Sequence, residues 1–353
     1  MDLESRLELI VREPTEEVIT IEELRKLLEV NSRPKHYIGL EISGLLHLGS
    51  LVLTGFKIND MIKAGVECTV FLADWHTFIN DKLQGDWDII KSVAKYYEDA
   101  FKFFCPGINV VMGSELYSSY KDYWNDLIRF SKHITLPRIM RSLTILGRSE
   151  KDKLDFAQLV YPAMQAVDIH ALDVDIAHAG IDQRKVHMLA RDIFPKMGWK
   201  VPVAIHHHLL PGLGEPVSLG LEDDSSMDVK VSSKMSKSKP HTSIFIHDDE
   251  HVIREKMRRA WCPESIDSNP VLEIARYIIF HEFKEFIVDR PAKYGGSITF
   301  ASYKELEEAY ASKRLHALDL KNAVALYLNK IVEPVREYFK NRKEIMEVLA
   351  KQQ

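Results

Sequence analysis

Cysteine is scarce in this chain: Cys68, Cys105 and Cys262 are all there is, far apart in 353 residues. That spacing supplies neither the paired ligands of a structural zinc nor a disulfide framework, so free thiols in a reducing compartment are expected, with no structural metal. Also lacking is an apolar run long enough to span a bilayer. Residues 1–9 mix acids with bases, unlike the apolar stretch of a signal peptide or the acid-poor bias of a transit peptide. A cytoplasmic location without membrane attachment is therefore expected. Positive charge is not in excess either, since the formal net charge is −5. An RNA partner would need local patches, for which Lys256, Arg258 and Arg259, and then Arg336, Lys340, Arg342 and Lys343, are the candidates; on charge alone both read as solvated helix faces. Internal repeats and low-complexity tracts are missing as well. With 46% hydrophobic and 28% charged residues, the composition is that of a globular enzyme large enough for two domains.

What is present alternates. Residues 15–30 (TEEVITIEELRKLLEV) read as one amphipathic helix after Pro14. His36–Leu40 reads as a short buried strand, Gly39 and Gly44 break the chain, and a helix is expected from about His47 to Ala64. The β-branched run 67–73 predicts a second strand, 86–104 a helix and 108–112 a third strand. This alternation implies a doubly wound parallel sheet. A helical insertion is expected at about 115–160, then helix–strand–helix over 161–200 and a late strand near 201–206. Residues 211–233, rich in Gly, Pro, Ser and acids, predict a long mobile loop. Beyond Pro240 the pattern is helical, with a long stretch from Leu318 to Phe339 interrupted at Pro334. The expected division is a Rossmann-like catalytic domain over 1–240, with a mobile signature loop at about 212–240, and a mainly α-helical domain over 241–353.

Two motifs carry chemistry. His47-Leu48-Gly49-Ser50 stands at a strand-to-helix turn, where backbone N–H groups and the helix dipole suit phosphate and glycine permits close approach. Lys234-Met235-Ser236-Lys237-Ser238 follows the long loop, and two lysines with two hydroxyls on such a segment suit a polyphosphate clamp. In this order, one after the first strand and one after the last, the pair resembles the signatures of class I aminoacyl-tRNA synthetases. The segments Tyr37–Glu41, Tyr161–Asp168 and Gly180–Lys185 resemble the tyrosine enzymes of the archaeal and eukaryotic type. The resemblance extends over nearly the whole chain. The first signature departs from it in ending in Ser50, where many synthetases have His.

The resemblance implies an ATP-dependent ligase that activates L-tyrosine and loads tRNA-Tyr. Tyr37 and Asp168 would hydrogen-bond the substrate phenol; Tyr161, Gln165 and Gln183, with Glu41, would hold its α-amino end. Gly39, His47, Gly49, Ser50, Gly180, Asp182 and the Lys234–Ser238 segment (Met235, Ser236 and Ser238 included) would contact ATP, with His47, Lys234 and Lys237 catalytic. Mg²⁺ would accompany ATP, held by phosphate oxygens and water. Arg184 would approach the acceptor stem, while Tyr294, His316 and Asp319 would read the anticodon by stacking and edge hydrogen bonds. The insertion would form a homodimer interface. The residue chemistry agrees: Tyr161, Gln165 and Asp168, at i, i+4 and i+7, share one helix face. To refuse phenylalanine a pocket must leave buried polar groups unpaired when the hydroxyl is missing, a cost of which tyrosine-specific synthetases are themselves the standard example. A tryptophan enzyme stays as an alternative, disfavoured because an indole offers a donor and no acceptor to Tyr37 and Asp168. A small-molecule nucleotidyltransferase of the related fold is a second alternative, disfavoured by the helical C-terminal domain, and a non-catalytic synthetase-like RNA-binding protein is the third, kept open by Ser50.

Overall fold

A computed structural model describes residues 1–147 and 153–342. By internal packing the chain forms two compact units. Of the described residues, the first contains those of Met1–Gly44 and Lys57–His208, and the second those of Leu45–Phe56 and 209–342. Both signature motifs fall in the second unit, whereas Tyr37 and Asp168 fall in the first.

The first unit is built on a six-stranded sheet: β1 (Thr15–Ile19), β2 (Lys35–Leu40), β3 (Glu67–Leu72), β4 (Asn109–Met112), β5 (Ile176–Gly180) and β6 (Val203–His207), in the order β1-β6-β5-β2-β3-β4. Strands β2 to β6 run parallel as expected, and β1 adds an antiparallel edge along β6. The expected helix over 15–30 is thus corrected to strand β1 followed by a helix from Ile21 to Val30. Val18 and Ile19 are β-branched and find a partner strand. Thr20 then starts the helix, accepting from the Glu23 amide while the Glu23 carboxylate accepts from the Thr20 amide. Helices lie between the strands, among them Trp87–Phe104 and Arg184–Met197. The expected insertion contains Tyr123–Ser131, Leu136–Ser142 and the start of Phe156–Ala171; residues 148–152 of it lie outside the described residues.

Histidines cross the sheet interior. His36 Nε2 lies 3.0 Å from His178 Nδ1, and His178 Nε2 lies 2.8 Å from His207 Nδ1. Beside them, His187 Nδ1 meets His206 Nε2 at 3.0 Å, and His206 Nδ1 meets Glu17 Oε2 at 2.7 Å. Burial drives all five rings toward the neutral form.

The second unit is mainly helical, with one small hairpin, β7 (Phe286–Val288) and β8 (Ile298–Phe300). The expected helix from His47 begins instead as a wide π-type turn, Leu48–Leu53, before the Thr54–Lys63 helix. The expected loop 211–233 is corrected at its end: Ser225–Ser233 is a helix, capped by Asp224, whose side chain accepts from the Met227 amide. Pro334 does not interrupt the last helix, which runs unbroken over Ala317–Phe339. The bond from a Pro334 amide is missing, but buried Val332, Val335 and Phe339 hold that stretch in place.

Candidate active site

In the first unit a polar cluster is set inside the hydrophobic core. β2 turns Tyr37 inward, where it packs with Phe71 from β3 and with Tyr117, Tyr123 and Tyr161. The Phe156–Ala171 helix buries Tyr161 and Asp168 on one face and half-buries Gln165. Asp168 is fully buried. Its Oδ1 accepts from the Tyr123 hydroxyl at 2.7 Å, and the Tyr117 hydroxyl, which lies 3.5 Å from His76 Nδ1, also acts to lower the carboxyl. Among the described residues its Oδ2 has no hydrogen-bond partner, and neither has His76 Nε2, 3.6 Å away. Burial pushes the Asp168 carboxyl up to about 8, against the two hydroxyls that lower it. Burial also lowers His76 to about 3, so the contact joins groups driven toward neutrality and is not an ion pair. Tyr37 is raised well above the usual phenol range by burial and then by the Asp168 charge, so it stays a hydroxyl.

The other end of the cluster is lined by acceptors. Gln165 Nε2 donates to Gln183 Oε1 at 3.2 Å, and Gln183 Nε2 donates to the Ile145 carbonyl at 3.2 Å. That chain orients Gln165 Oε1, which is buried and unpartnered among the described residues. Glu41 accepts from Asn80 Nδ2 at 2.7 Å, and its charge helps raise the Tyr161 phenol above the usual range, after burial. A Cβ on Gly39 would fall 2.5 Å from the Tyr37 hydroxyl, so glycine there keeps that ring in place. Buried polar atoms are seldom left without partners, and each costs stability until a ligand supplies one. A carboxylate oxygen, an imidazole nitrogen and a carboxamide oxygen left this way describe a small polar ligand, with a hydroxyl for one end and an ammonium for the other.

In the second unit the first signature is tied by its own side chains. His47 caps the Leu48–Leu53 turn: its Nδ1 accepts from the amides of Gly49 at 3.2 Å and Ser50 at 3.3 Å. Ser50 Oγ accepts from the His47 amide at 2.9 Å. An Nδ1 that accepts leaves the ring proton on Nε2. Burial, and then the charges of Lys237 and Lys234, lower this ring to about 3, so it is a neutral donor. Ser50 thus closes the cap reciprocally, a role unseen in the sequence, where it registered as a departure from the signature and as an expected ATP contact. The first signature pairs with the segment after the second: Leu48 donates to the Ile244 carbonyl at 3.0 Å, Ile246 to the Leu46 carbonyl at 3.1 Å. Ser243 Oγ donates to the Ser236 carbonyl at 2.7 Å, and the hydroxyls of Ser236 and Ser238 lie 2.9 Å apart.

Other expected residues are spread out. Gly180 ends β5 and Asp182 sits in the following turn. Arg184 starts the next helix, its Nε bonded to both oxygens of Glu17 at 3.0 and 2.9 Å. Tyr294 is 60% exposed beside the positive-φ Gly295 and Gly296, with Lys293 over its ring. His316 caps the Ala317–Phe339 helix, whose first turn holds Asp319. The basic patches are engaged locally: Lys256 with Asp248, Arg258 with Glu255, Arg336 with the Asp248 carbonyl, Lys340 with Glu337, and Arg342 over Tyr338. Lys343 lies outside the described residues. Sequence reasoning missed His76, Asn80, Tyr117 and Tyr123. Tyr117 and Tyr123 fall in a stretch whose pattern shows only a helical insertion, so no local signal marks them. Among the described residues, no group of three or more His, Cys, Asp or Glu side chains gathers to hold a metal ion, and no helix is long and apolar enough to cross a membrane.

Comparison with known proteins bears on this geometry. The family model described as class I tRNA synthetases (W and Y) matches residues 29–333. The chain is 46% identical over 369 aligned residues to the tyrosine–tRNA ligase of Thermococcus sibiricus, covering 99% of this chain and 98% of that one. It matches the crystal structure of tyrosyl-tRNA synthetase complexed with L-tyrosine from Pyrococcus horikoshii with a TM-score of 0.92 and 45% identity, over 99% of this chain and 100% of that one. The tryptophanyl-tRNA synthetase of Plasmodium falciparum, at 17% identity and a TM-score of 0.67 over 98% of this chain and 89% of that one, shares the fold alone.

Proposed function

The chain belongs to the class I tyrosyl-tRNA synthetases of the archaeal and eukaryotic type, and from that membership we propose how its residues activate L-tyrosine with ATP and load it onto the 3′ end of tRNA-Tyr. The reading rests above all on the unpaired Asp168 Oδ2, buried in a ring of hydroxyls. The substrate phenol donates to that oxygen and accepts from the Tyr37 hydroxyl. Phenylalanine would leave both unpaired, and an indole would satisfy only the acceptor. At the other end the ammonium meets Gln165 Oε1, the Tyr161 hydroxyl and Gln183, with Glu41 adding charge.

A carboxylate oxygen of tyrosine attacks the α-phosphorus of ATP. The bond to the bridging oxygen breaks and pyrophosphate leaves with its electron pair. The nucleophile is already an anion, so the protein supplies position and charge rather than a base. His47 donates its Nε2–H to a phosphate oxygen as a neutral group, which makes it a stabiliser and not a proton source. Lys234 and Lys237 meet the charge growing on pyrophosphate. Gly39, Gly49, Ser50, Gly180, Asp182, Met235, Ser236 and Ser238 complete the ATP contacts. Mg²⁺ would accompany ATP, held by phosphate oxygens and water, and would supply charge neutralisation there. A ribose hydroxyl of the terminal adenosine then attacks the tyrosyl carbonyl, the acyl–phosphate bond breaks, and AMP leaves with the electron pair while its phosphate takes up the hydroxyl proton.

Residues 1–240 are assigned the catalysis and 241–353 the anticodon, with Arg184 at the acceptor stem and Tyr294, His316 and Asp319 at the anticodon. A homodimer is supported by large exposed apolar side chains in the insertion: Trp124, Ile128, Leu136 and Phe156. A cytoplasmic location completes the reading. The test is amino-acid-dependent ATP–pyrophosphate exchange, followed by charging of tRNA-Tyr. Exchange with tyrosine, and with neither tryptophan nor phenylalanine, is expected. Exchange with tryptophan would move the assignment to the sister specificity, and none with any amino acid would end the catalytic reading.

A further inference from the structure

The segment between β6 and the second signature has a built-in fastening. Asp228 lies on the Ser225–Ser233 helix, which leads directly into Lys234, and is buried. Its carboxylate gathers donors from the preceding irregular chain. Oδ2 accepts from Ser218 Oγ and, at 3.0 Å, from the Gly220 amide. Oδ1 accepts from the Leu221 amide at 2.6 Å and the Glu222 amide at 3.2 Å, and Ser232 Oγ, one turn along the helix, lies 3.3 Å away. These bonds hold the carboxyl far below the usual carboxylate range. The same face continues the strap: the Leu219 amide donates to Ser232 Oγ at 3.2 Å and the Val217 amide to Ser233 Oγ at 2.8 Å. Three side chains of one short helix thus satisfy the amides of a stretch that has no strand partner, work normally left to a sheet or to water. Beyond it the backbone is tied directly to the signature: Gly212 donates to the Ser233 carbonyl at 2.8 Å, and Met235 to the Leu210 carbonyl at 2.8 Å.

We propose that Asp228 is a positioning residue for the Lys234–Ser238 segment: by fastening residues 218–222 to the helix that ends at Lys234, it fixes where the two signature lysines begin. The inference rests on the reading of those lysines as the pyrophosphate clamp. It gives the acidic stretch a purpose, since one of its carboxylates is the fastener. A clamp whose starting point shifts by an ångström loses alignment with the leaving group, at a cost of up to roughly a hundredfold.

The experiment compares Asp228→Ala, Ser218→Ala and Lys237→Ala with the wild type, in the full chain. Tyrosine-dependent exchange gives kcat and the KM for ATP; equilibrium dialysis without ATP gives the tyrosine Kd. For Asp228→Ala, kcat/KM for ATP is expected to fall roughly tenfold or more with tyrosine Kd within about twofold of wild type. Ser218→Ala, which removes one donor and leaves the carboxylate, should show a smaller loss in the same parameter. Loss of tyrosine binding in parallel with exchange in Asp228→Ala would mean general damage and overturn the proposal. So would wild-type ATP kinetics in Asp228→Ala when Lys237→Ala is crippled. An unimpaired Lys237→Ala would overturn the clamp reading itself, and the proposal with it.

Discussion

Asp168 in the first unit and His47 in the second are both buried ionisable groups that burial drives toward the neutral form, yet they are finished in opposite ways. One oxygen of Asp168 is held by the Tyr123 hydroxyl and the other is left without a partner among the described residues. The Nδ1 of His47 is taken up by two backbone amides, its own amide is capped by Ser50, and lysine charges act on the ring. Selection and positioning ask for different architectures. A pocket that must distinguish ligands differing by one hydroxyl keeps polar atoms without protein partners, ready for the right ligand. A surface that must hold a flexible, highly charged phosphate chain gains by fixing its donors in advance, so that little reorganises when charge develops.

The comparison breaks most easily at Asp168. Asp168→Ala removes the acceptor that the phenol requires, and kcat/KM for tyrosine in pyrophosphate exchange should fall by roughly three orders of magnitude, while ATP KM changes little. Discrimination against phenylalanine should shrink at the same time, because no unpaired acceptor is left to penalise it. A variant that loses activity yet keeps the wild-type preference would mean that selection lies elsewhere.

Acidification probes the first unit as a whole. His36, His178, His187, His206 and His207 are neutral when folded, with pKa values lowered to about 3 for His36 and about 4 for His206 and His207, against 6.5 for an ordinary imidazole. As pH falls below 6.5 the unfolded chain takes up protons that the folded chain refuses. Stability is therefore full above that value and is lost toward pH 4, by about 1–2 kcal/mol per ring at pH 5. Asp168 opposes this, since its raised pKa makes the folded chain the better proton acceptor below about 8. Urea unfolding at pH 7.5 and 5 should show the histidine loss dominating, with a steeper fall in Asp168→Asn, where the opposing group is gone. A chain equally stable at both values would refute the neutral histidine network.

The smallest effect is expected at Ser50. Ser50→Ala removes one half of the reciprocal cap on His47, costing about 1 kcal/mol of local stability. A few-fold loss in kcat, with tyrosine affinity intact, would sharpen the distinction between the two regions. An unchanged kcat would mean that the two amides hold the imidazole without help.

Legibility followed the range of the forces involved. Strands β2 and β3 stand out in the sequence because a strand buried on both faces must be a short, mainly apolar run, and the edge strand β4, only partly buried, stands out by its paired valines. Strand β1 does not, because Thr15–Ile19 becomes a strand only through its pairing with β6, almost the whole first unit away. The Tyr161–Gln165–Asp168 face is visible from helical spacing alone. Its completing partners, Tyr117, Tyr123 and His76, come from other segments, where nothing nearby sets a recognising tyrosine apart from a packing one.

By itself, then, the sequence determined the alternating strands and helices, the two phosphate-directed signatures and the polar helix face, because each is a matter of residue type and period over a few turns. The tertiary structure alone decided which oxygen of Asp168 goes unpaired, which nitrogen of His47 keeps its proton, and that Asp228 fastens the chain ahead of Lys234. Those are questions of which groups meet across long stretches of chain and which are shut away from water, and no local pattern encodes them.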